Sequence, residues 1–433
     1  MEQKPTLRLR LNSWLLPALV VVLLVLQLVS PYRGWVVFLV GLGGVWLISY
    51  VWVRLLARGL RFSRVVRFGW AQVGDRLEER FELTNDGAVP VLWVEVVDHS
   101  TMPDYPAGWT TEVEAHRLRR WSRWATCSRR GLFTLGPTTL LVGDPFGVYT
   151  VSLRYFASMP FLILPPVLSL PSIRVSPGGQ SGEGNPRPNA PERTISAASV
   201  REYIPGDNRR WIHWRTTARQ GSLYVRLFDG TPAGDWWIVL DMDRGAQVGE
   251  GDDSTEEHGV VLAASLGNLG LQLQRSVGLV MHGQDLVWLP PEGGDTQRWK
   301  ILRDLALVSP GQHPLSDLLM QMKPVIHRHA SLVVITPAVD RAWVEALLPL
   351  MKRGVVPTVL LLDPVSFGGT GDASETVGLL TNLGVTHYVI TPDLLNSSEV
   401  QPAWQASWGW EVLDSGRVVP AGRPRDVAWR SLA

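Results

Sequence analysis

The chain has 433 residues, too many for one ordinary core and enough for two or three domains. Its 41 Lys plus Arg balance 40 Asp plus Glu, which excludes the global positive field of a general nucleic-acid binder, and no nucleic-acid partner is expected. A single cysteine, Cys127, excludes an internal disulfide and any cysteine-rich metal framework.

Residues 1–12 read as a short cytoplasmic tail. Within 13–56, two apolar runs, WLLPALVVVLLVLQLV (14–29) and WVVFLVGLGGVWLISYVWV (35–53), are separated by SPYRG. That pattern predicts a two-helix transmembrane hairpin in the bilayer. Trp14, Trp35 and Trp52 fall near the run ends, where an amphipathic ring favours the headgroup level, and Gly41, Gly43 and Gly44 permit close helix approach. Lys4, Arg8 and Arg10 precede the first run and Arg54, Arg58, Arg61, Arg64 and Arg67 follow the second, while the loop carries only Arg33. Both termini and the soluble bulk are therefore expected on the cytoplasmic side of the cell membrane. No small-x-small cleavage site follows Val29, which argues against a signal peptide.

Over 57–165, short alternating segments rich in Val, Leu, Phe and Trp are divided by turn chemistry at Asn85-Asp86-Gly87 and Gly143-Asp144-Pro145. This predicts a β-sandwich of immunoglobulin-like type. Cys127, in RWATCSRRGLF, reads as a small buried strand residue rather than a nucleophile. The Pro, Gly and Ser content of 166–200 predicts a linker.

The segment 201–229, REYIPGDNRRWIHWRTTARQGSLYVRLFD, is dense in Arg and Trp. Pro205 and Gly206 suit a turn, Asp207 suits the cap of a helix over 208–219 that Gly221 ends, and SLYVRLF alternates as a strand. From 230 to 395 the apolar runs WWIVLDMD, VGLVMHG, ASLVVIT, VPTVLLLD and HYVIT alternate with segments of helical spacing. They predict an α/β domain with a doubly wound parallel sheet, and 396–433 is expected to cap that sheet.

The run REYIPGDNRRWIHWRTTARQGSLYVRLF, with RGLFTLGPTTLLVGDPFGVY at 130–149 and WWIVLDMD downstream, resembles the bacterial family known as domain of unknown function 58. The resemblance implies a membrane hairpin, a β-sandwich, a von Willebrand factor A-like α/β domain and a MoxR-type AAA+ ATPase as partner. It also implies the signature residues Arg201, Tyr203, Pro205, Gly206, Asp207, Arg209, Ile212, His213, Trp214, Ala218 and Arg219. No chemistry comes with them. Interleaved Arg and Trp suit a staple between sandwich and α/β domain, and the arginines equally suit a site for the acidic face of a partner. His213 has no evident nucleophile nearby.

The von Willebrand A-like resemblance further implies a metal-dependent adhesion site. Such a site uses Asp-x-Ser-x-Ser after the first strand, with a Thr and an Asp from later loops, to hold Mg²⁺. In LDMDRG, Asp241 matches the first position, but Asp243 and Gly245 replace both serines, and SLVVITPAVD offers Thr336 and Asp340. Asp241 and Asp243 could hold a divalent ion weakly with waters, but a degenerate site without a cofactor is expected. HExxH, Walker A and G-x-S-x-G patterns are absent from the sequence. The functional expectation is therefore a membrane-anchored, cytoplasm-facing scaffold or adaptor that binds the ATPase. Alternatives are a divalent-metal-dependent ligand-binding protein and a membrane-associated enzyme of unknown reaction.

Overall fold

The computed structural model describes residues 5–66, 69–105, 108–170, 172–178, 197–204, 212–228, 235–328, 330–396, 401–402, 409–412, 418–421 and 430–432. Contacts divide the chain into two compact units, Met1–Pro166 with Trp408–Ala433, and Val167–Ser407.

Part of the segment expected to be a tail is strand β1 (Thr6–Leu11), because TLRLRL alternates with the strand period of two. Helices α1 (Leu15–Val29) and α2 (Arg33–Gly59) pack against each other. By length and composition, the 27-residue α2 can cross a membrane, while α1 is an apolar helix of 15 residues. Ten strands follow: β2 (Leu60–Val66), β3 (Trp70–Gln72), β4 (Arg76–Asn85), β5 (Val91–Asp98), β6 (Gly108–Val113), β7 (Arg117–Thr126), β8 (Gly131–Leu135), β9 (Thr138–Gly143), β10 (Tyr149–Tyr155) and β11 (Met159–Leu164). One sheet runs β1-β10-β9-β5-β6, another joins β2, β4 and β7, and a third runs β3-β11-β8. Phe62, Phe81 and Leu83 from β2 and β4 share a core with Val94, Val96, Leu140, Val142, Val151 and Leu153 from β5, β9 and β10. Val53 and Leu56, near the end of α2, complete it.

The same alternation turns charges inward. Arg64 lies in phase with buried Phe62 and Val66, and Glu79 with buried Leu77 and Phe81. Arg64 Nη2 donates to both Glu79 oxygens at 2.7 and 2.9 Å, and its Nη1 donates to Asp98 Oδ1 at 3.0 Å. The Tyr105 hydroxyl donates to Glu79 as well. Burial pushes the Glu79 carboxyl up; it also opposes the charge on Arg64, but Glu79, Tyr105 and Asp98 outweigh that opposition. Removing the one guanidinium would strand two buried carboxylates. Arg64→Met is expected to cost about 3–5 kcal/mol in chemical denaturation, against less than about 1 kcal/mol for Arg61→Met, whose partner Asp86 is exposed. Equal effects would contradict the network's role.

The second unit contains β12 (Leu168–Ser169), β13 (Ala197–Glu202), α3 (Trp214–Gln220), β14 (Tyr224–Phe228), β15 (Trp236–Leu240), α4 (Thr255–Gln272), β16 (Val277–His282), β17 (Leu286–Glu292), α5 (Gly294–Leu307), α6 (Leu315–Met322), β18 (Ser331–Thr336), α7 (Arg341–Met351), β19 (Val356–Leu362), α8 (Ala373–Asn382), β20 (Thr386–Ile390), α9 (Asp393–Asn396) and β21 (Gln401–Pro402). The five apolar runs read as strands are β15, β16, β18, β19 and β20, and the five helical segments are α4 to α8. The mixed sheet has the order β17-β16-β15-β18-β19-β20, parallel throughout except for β17. Strand order reverses at β15. Trp237 and Val239 pack with Leu319 of α6 and Trp343 and Leu347 of α7. On the other face, a Cβ at Gly259 of α4 would lie 3.0 Å from Leu240, and one at Gly270 2.7 Å from Trp236, so glycine permits the close approach of α4.

Two boundary expectations are corrected. The linker expected over 166–200 begins as structured chain: Leu168 N donates to Ser265 Oγ at 2.9 Å and Gly178 N to Ser331 Oγ at 2.7 Å. Of it, 171 and 179–196 lie outside the described residues, and β13 takes its last four positions. The C-terminal segment, expected against the parallel sheet, instead has β22 (Gly409–Val412) paired with β23 (Val418–Ala421). Its last strand, β24 (Arg430–Leu432), pairs with β2, whose outer edge offers free backbone groups.

Candidate functional site

Because β15 lies between β16 and β18, the carboxyl ends of β15 and β18 emerge side by side where ligands bind in open α/β sheets. Leu240 pairs with Ile335, and Asp241 N donates to Ile335 O at 2.9 Å. Thr336 thus falls beside Asp241. Its hydroxyl donates to Asp241 Oδ2 at 2.6 Å and accepts from Ala338 N at 2.9 Å. Asp241 Oδ1 accepts from Asp243 N at 3.0 Å, so both oxygens of this buried carboxylate are satisfied internally. Burial pushes its pKa up to about 6; the Thr336 and Asp243 hydrogen bonds oppose the shift, and the charges of Asp243 and Asp340 add to it.

The neighbouring acids are committed to local structure. Asp243 Oδ1 accepts from Gly245 N at 3.2 Å, and Asp340 caps α7 by accepting from Ala342 N at 2.9 Å. Mg²⁺ needs near-octahedral oxygen ligation. Here both serine hydroxyls of the adhesion motif are missing, and the Thr336 hydroxyl is turned onto Asp241. Among the described residues, no three His, Cys, Asp or Glu side chains are placed to hold a metal. The donor set does not fit the ion.

A carboxyl with a folded pKa above its ordinary value contributes stability that is fully present below about pH 3.8 and lost as pH rises through about 6. Asp241→Asn is therefore expected to flatten the stability profile across that window, read from denaturation midpoints of the full chain. Thr336→Val, which removes an opposing hydrogen bond, is expected to move the fall to higher pH and to cost about 1–3 kcal/mol. An unchanged slope in Asp241→Asn would contradict the assignment.

The signature forms a β13–α3–β14 unit. Arg201 stands opposite Val225 in the antiparallel pair, and Tyr203 N donates to Leu223 O at 2.7 Å. Pro205, Gly206, Asp207 and Arg209 lie outside the described residues. The helix expected over 208–219 is observed as Trp214–Gln220, because Ile212 is held in a β-bridge to Val225 and cannot be helical. Its cap is His213: Nδ1 accepts from Thr216 N at 3.3 Å and lies 2.7 Å from Thr216 Oγ1. His213 is thereby engaged in capping rather than poised over a nucleophile. Gly221, at φ 73°, ends the helix as expected. Trp214 is 67% exposed, with Arg215 and Arg219 exposed on the same short helix and in no ion pair among the described residues.

Cys127 follows β7 as a loop residue and is buried; burial, with the charge of Asp75, pushes its thiol up to about 11. Sequence reasoning overlooked the Arg64–Glu79–Asp98 network. Its available signal was charge on the inward phase of alternating strands.

Residues 199–367 match the family described as protein of unknown function DUF58, the family that the signature resembles. The uncharacterized protein YeaD of Bacillus subtilis (strain 168) is 33% identical over 111 residues, a match spanning 26% of this chain and 26% of that relative. Among solved structures, the CARDB domain of a Pyrococcus furiosus protein in complex with di-metal ions shares 12% identity over 24% of this chain and 90% of that one, with a TM-score of 0.19. The Pseudomonas fluorescens alkylpurine DNA glycosylase AlkC, bound to DNA containing an abasic site analogue, shares 12% identity over 34% and 42%, with a TM-score of 0.17. Likenesses that slight say nothing about function.

Proposed function

We propose that the chain is a membrane-anchored, cytoplasm-facing scaffold that binds a protein partner, a MoxR-type AAA+ ATPase, through its signature and α/β unit. The observation carrying this reading is the exposed Trp214 on one short helix with the exposed Arg215 and Arg219. Trp and Arg dominate interface hot spots, and an acidic partner face would supply counter-charge that these arginines do not find among the described residues.

Other features support the architecture. A central first strand, an antiparallel edge and helices against both faces favour a doubly wound, von Willebrand A-like reading of the α/β part. Antiparallel sheets over one core favour an immunoglobulin-like reading of 57–165. Support for two spans comes from β1 and β2, which flank the α1–α2 hairpin and belong to one unit. If α2 crossed alone, β1 would be separated from β10, its partner. Either both helices cross or neither does. At 15 residues, α1 extends about 22 Å, short of a hydrocarbon core of about 30 Å, so crossing would require local thinning or help from flanking residues.

The test is affinity capture by the full chain from detergent-solubilised native membranes, with nucleotide and Mg²⁺. Wild type is expected to retain an AAA+ ATPase, and a folded Trp214→Ala, Arg219→Ala variant at least about tenfold less, a difference of about 1.4 kcal/mol. No ATPase on wild type, or equal capture by both, would contradict the reading.

A further inference from the structure

Helix α2 has two apolar faces, and the described residues cover only one. From Trp46 onward, Val53 and Leu56 lie in the sandwich core, and Trp46 and Tyr50 pack against it. The opposite face carries Leu47, Ile48, Val51 and Leu55, all exposed, Leu47 by 63%. A contiguous apolar stripe of this kind marks a contact surface. It continues the run that by length and composition can cross a membrane: no charged residue stands between Arg33 and Arg54, and 34–53 extends about 30 Å as helix, the thickness of a hydrocarbon core. Arg54 and Arg58, both exposed, end the stripe with side chains long enough to reach the headgroups.

Hydrogen bonds tie the sandwich to the depth of that stripe. Trp46, about 12 Å of helix before Arg54, donates through Nε1 to the Tyr149 hydroxyl at 2.7 Å. Asn12, just before α1, donates from its backbone N–H to Val148 O at 2.8 Å and from Nδ2 to Gly147 O at 3.2 Å. The β9–β10 turn, 144–148, therefore lies level with Trp46 rather than with Arg54. Its construction suits a dry setting, where backbone polar groups must be satisfied by the protein itself. Asp144, the one charged residue of the turn, is buried; its Oδ2 accepts from Phe146 N at 2.9 Å and its Oδ1 from Tyr149 N at 2.5 Å. Gly147 N donates to Asp144 O at 3.2 Å. Outward, the turn shows Pro145, Gly147 and Phe146, the last 56% exposed.

We propose that the helix-bearing end of the sandwich is seated within the proximal leaflet of a phospholipid bilayer, with the β9–β10 turn and its Phe146 in the upper acyl region and Arg54 and Arg58 at the phosphates. The inference rests on reading α1 and α2 as spans, and it adds a folded β-domain that takes part in the lipid contact instead of hanging from the anchor. Acyl chains cover the stripe on α2. Phe146 and Trp14, the latter exposed at the cap of α1, occupy the boundary that aromatic rings favour. Arg10, exposed and opposite Thr150 on β1, has the same reach to the phosphates as Arg54. This seating also lends the 15-residue α1 the depth it lacks, because the segment before it enters the leaflet as well.

Phe146→Cys, Val37→Cys and Phe156→Cys, each labelled with a small fluorophore in the full chain reconstituted into phosphatidylcholine vesicles, test the seating. Cys127 is buried and leaves the label to the introduced site. Val37, exposed on α2, reports the span. Phe156, 50% exposed beyond the far end of β10 and about 20 Å from the turn, reports the part of the sandwich outside the bilayer. A nitroxide on the upper acyl chain is expected to quench positions 37 and 146 and not 156, and iodide in the water to quench 156 and spare 146. All three native side chains are exposed, and melting curves in detergent show that each variant is folded. Quenching at 37 without quenching at 146, or equal quenching at 146 and 156, overturns the proposal and leaves the anchor standing. Absence of acyl-chain quenching at 37 removes the anchor reading, and this inference with it.

Discussion

A carboxylate buried at the point where a parallel sheet reverses its strand order must find its hydrogen bonds inside the protein or remain a heavily penalised charge. Asp241 finds them: Thr336 supplies a hydroxyl from the adjacent strand end and Asp243 a backbone N–H. That arrangement depends on β15 lying between β16 and β18, on parallel register bringing Thr336 alongside, and on helices covering both faces so that the site stays dry. The same hydrogen bonds turn the crevice inward. Oxygens that a divalent ion would recruit are used to hold the sheet ends together.

On the proposed function, recognition falls to surfaces rather than to a metal. On the proposed reading, the signature contributes a rigid platform: β13 and β14 pair, His213 and Gly221 fix the ends of α3, and Trp214 is presented outward. Arg and Trp serve here as a display, while the interior of the second unit is held by aliphatic packing around Trp237 and Trp343. Open α/β sheets host many activities, so the functional reading rests on these side chains and not on the fold.

Much of the architecture could be read from local pattern, and the failures have physical causes. Continuous apolar stretches such as WWIVL and the LVVI of SLVVIT announce strands buried on both faces. LVWLPPE does not, because Pro290 and Pro291 disguise β17, and only its place at the sheet edge tolerates them. TLRLRL was hidden by its position before the hairpin, although its alternation was plain. Local pattern starts the signature helix too early because the bridge between Ile212 and Val225 is a tertiary contact with no local sign. Asp241, Asp243, Thr336 and Asp340 were all legible as candidates, but which of them meet depended on strand order.

The central claim is that the exposed face of α3 meets an AAA+ ATPase at the membrane. Its most direct test is a photo-crosslinking amino acid placed at position 214 of the full-length chain in native membranes, followed by identification of whatever is trapped. The account predicts an adduct with an AAA+ ATPase that disappears when Arg215 and Arg219 are both replaced by Glu. Crosslinks confined to the chain itself would contradict it, leaving the signature as an internal staple.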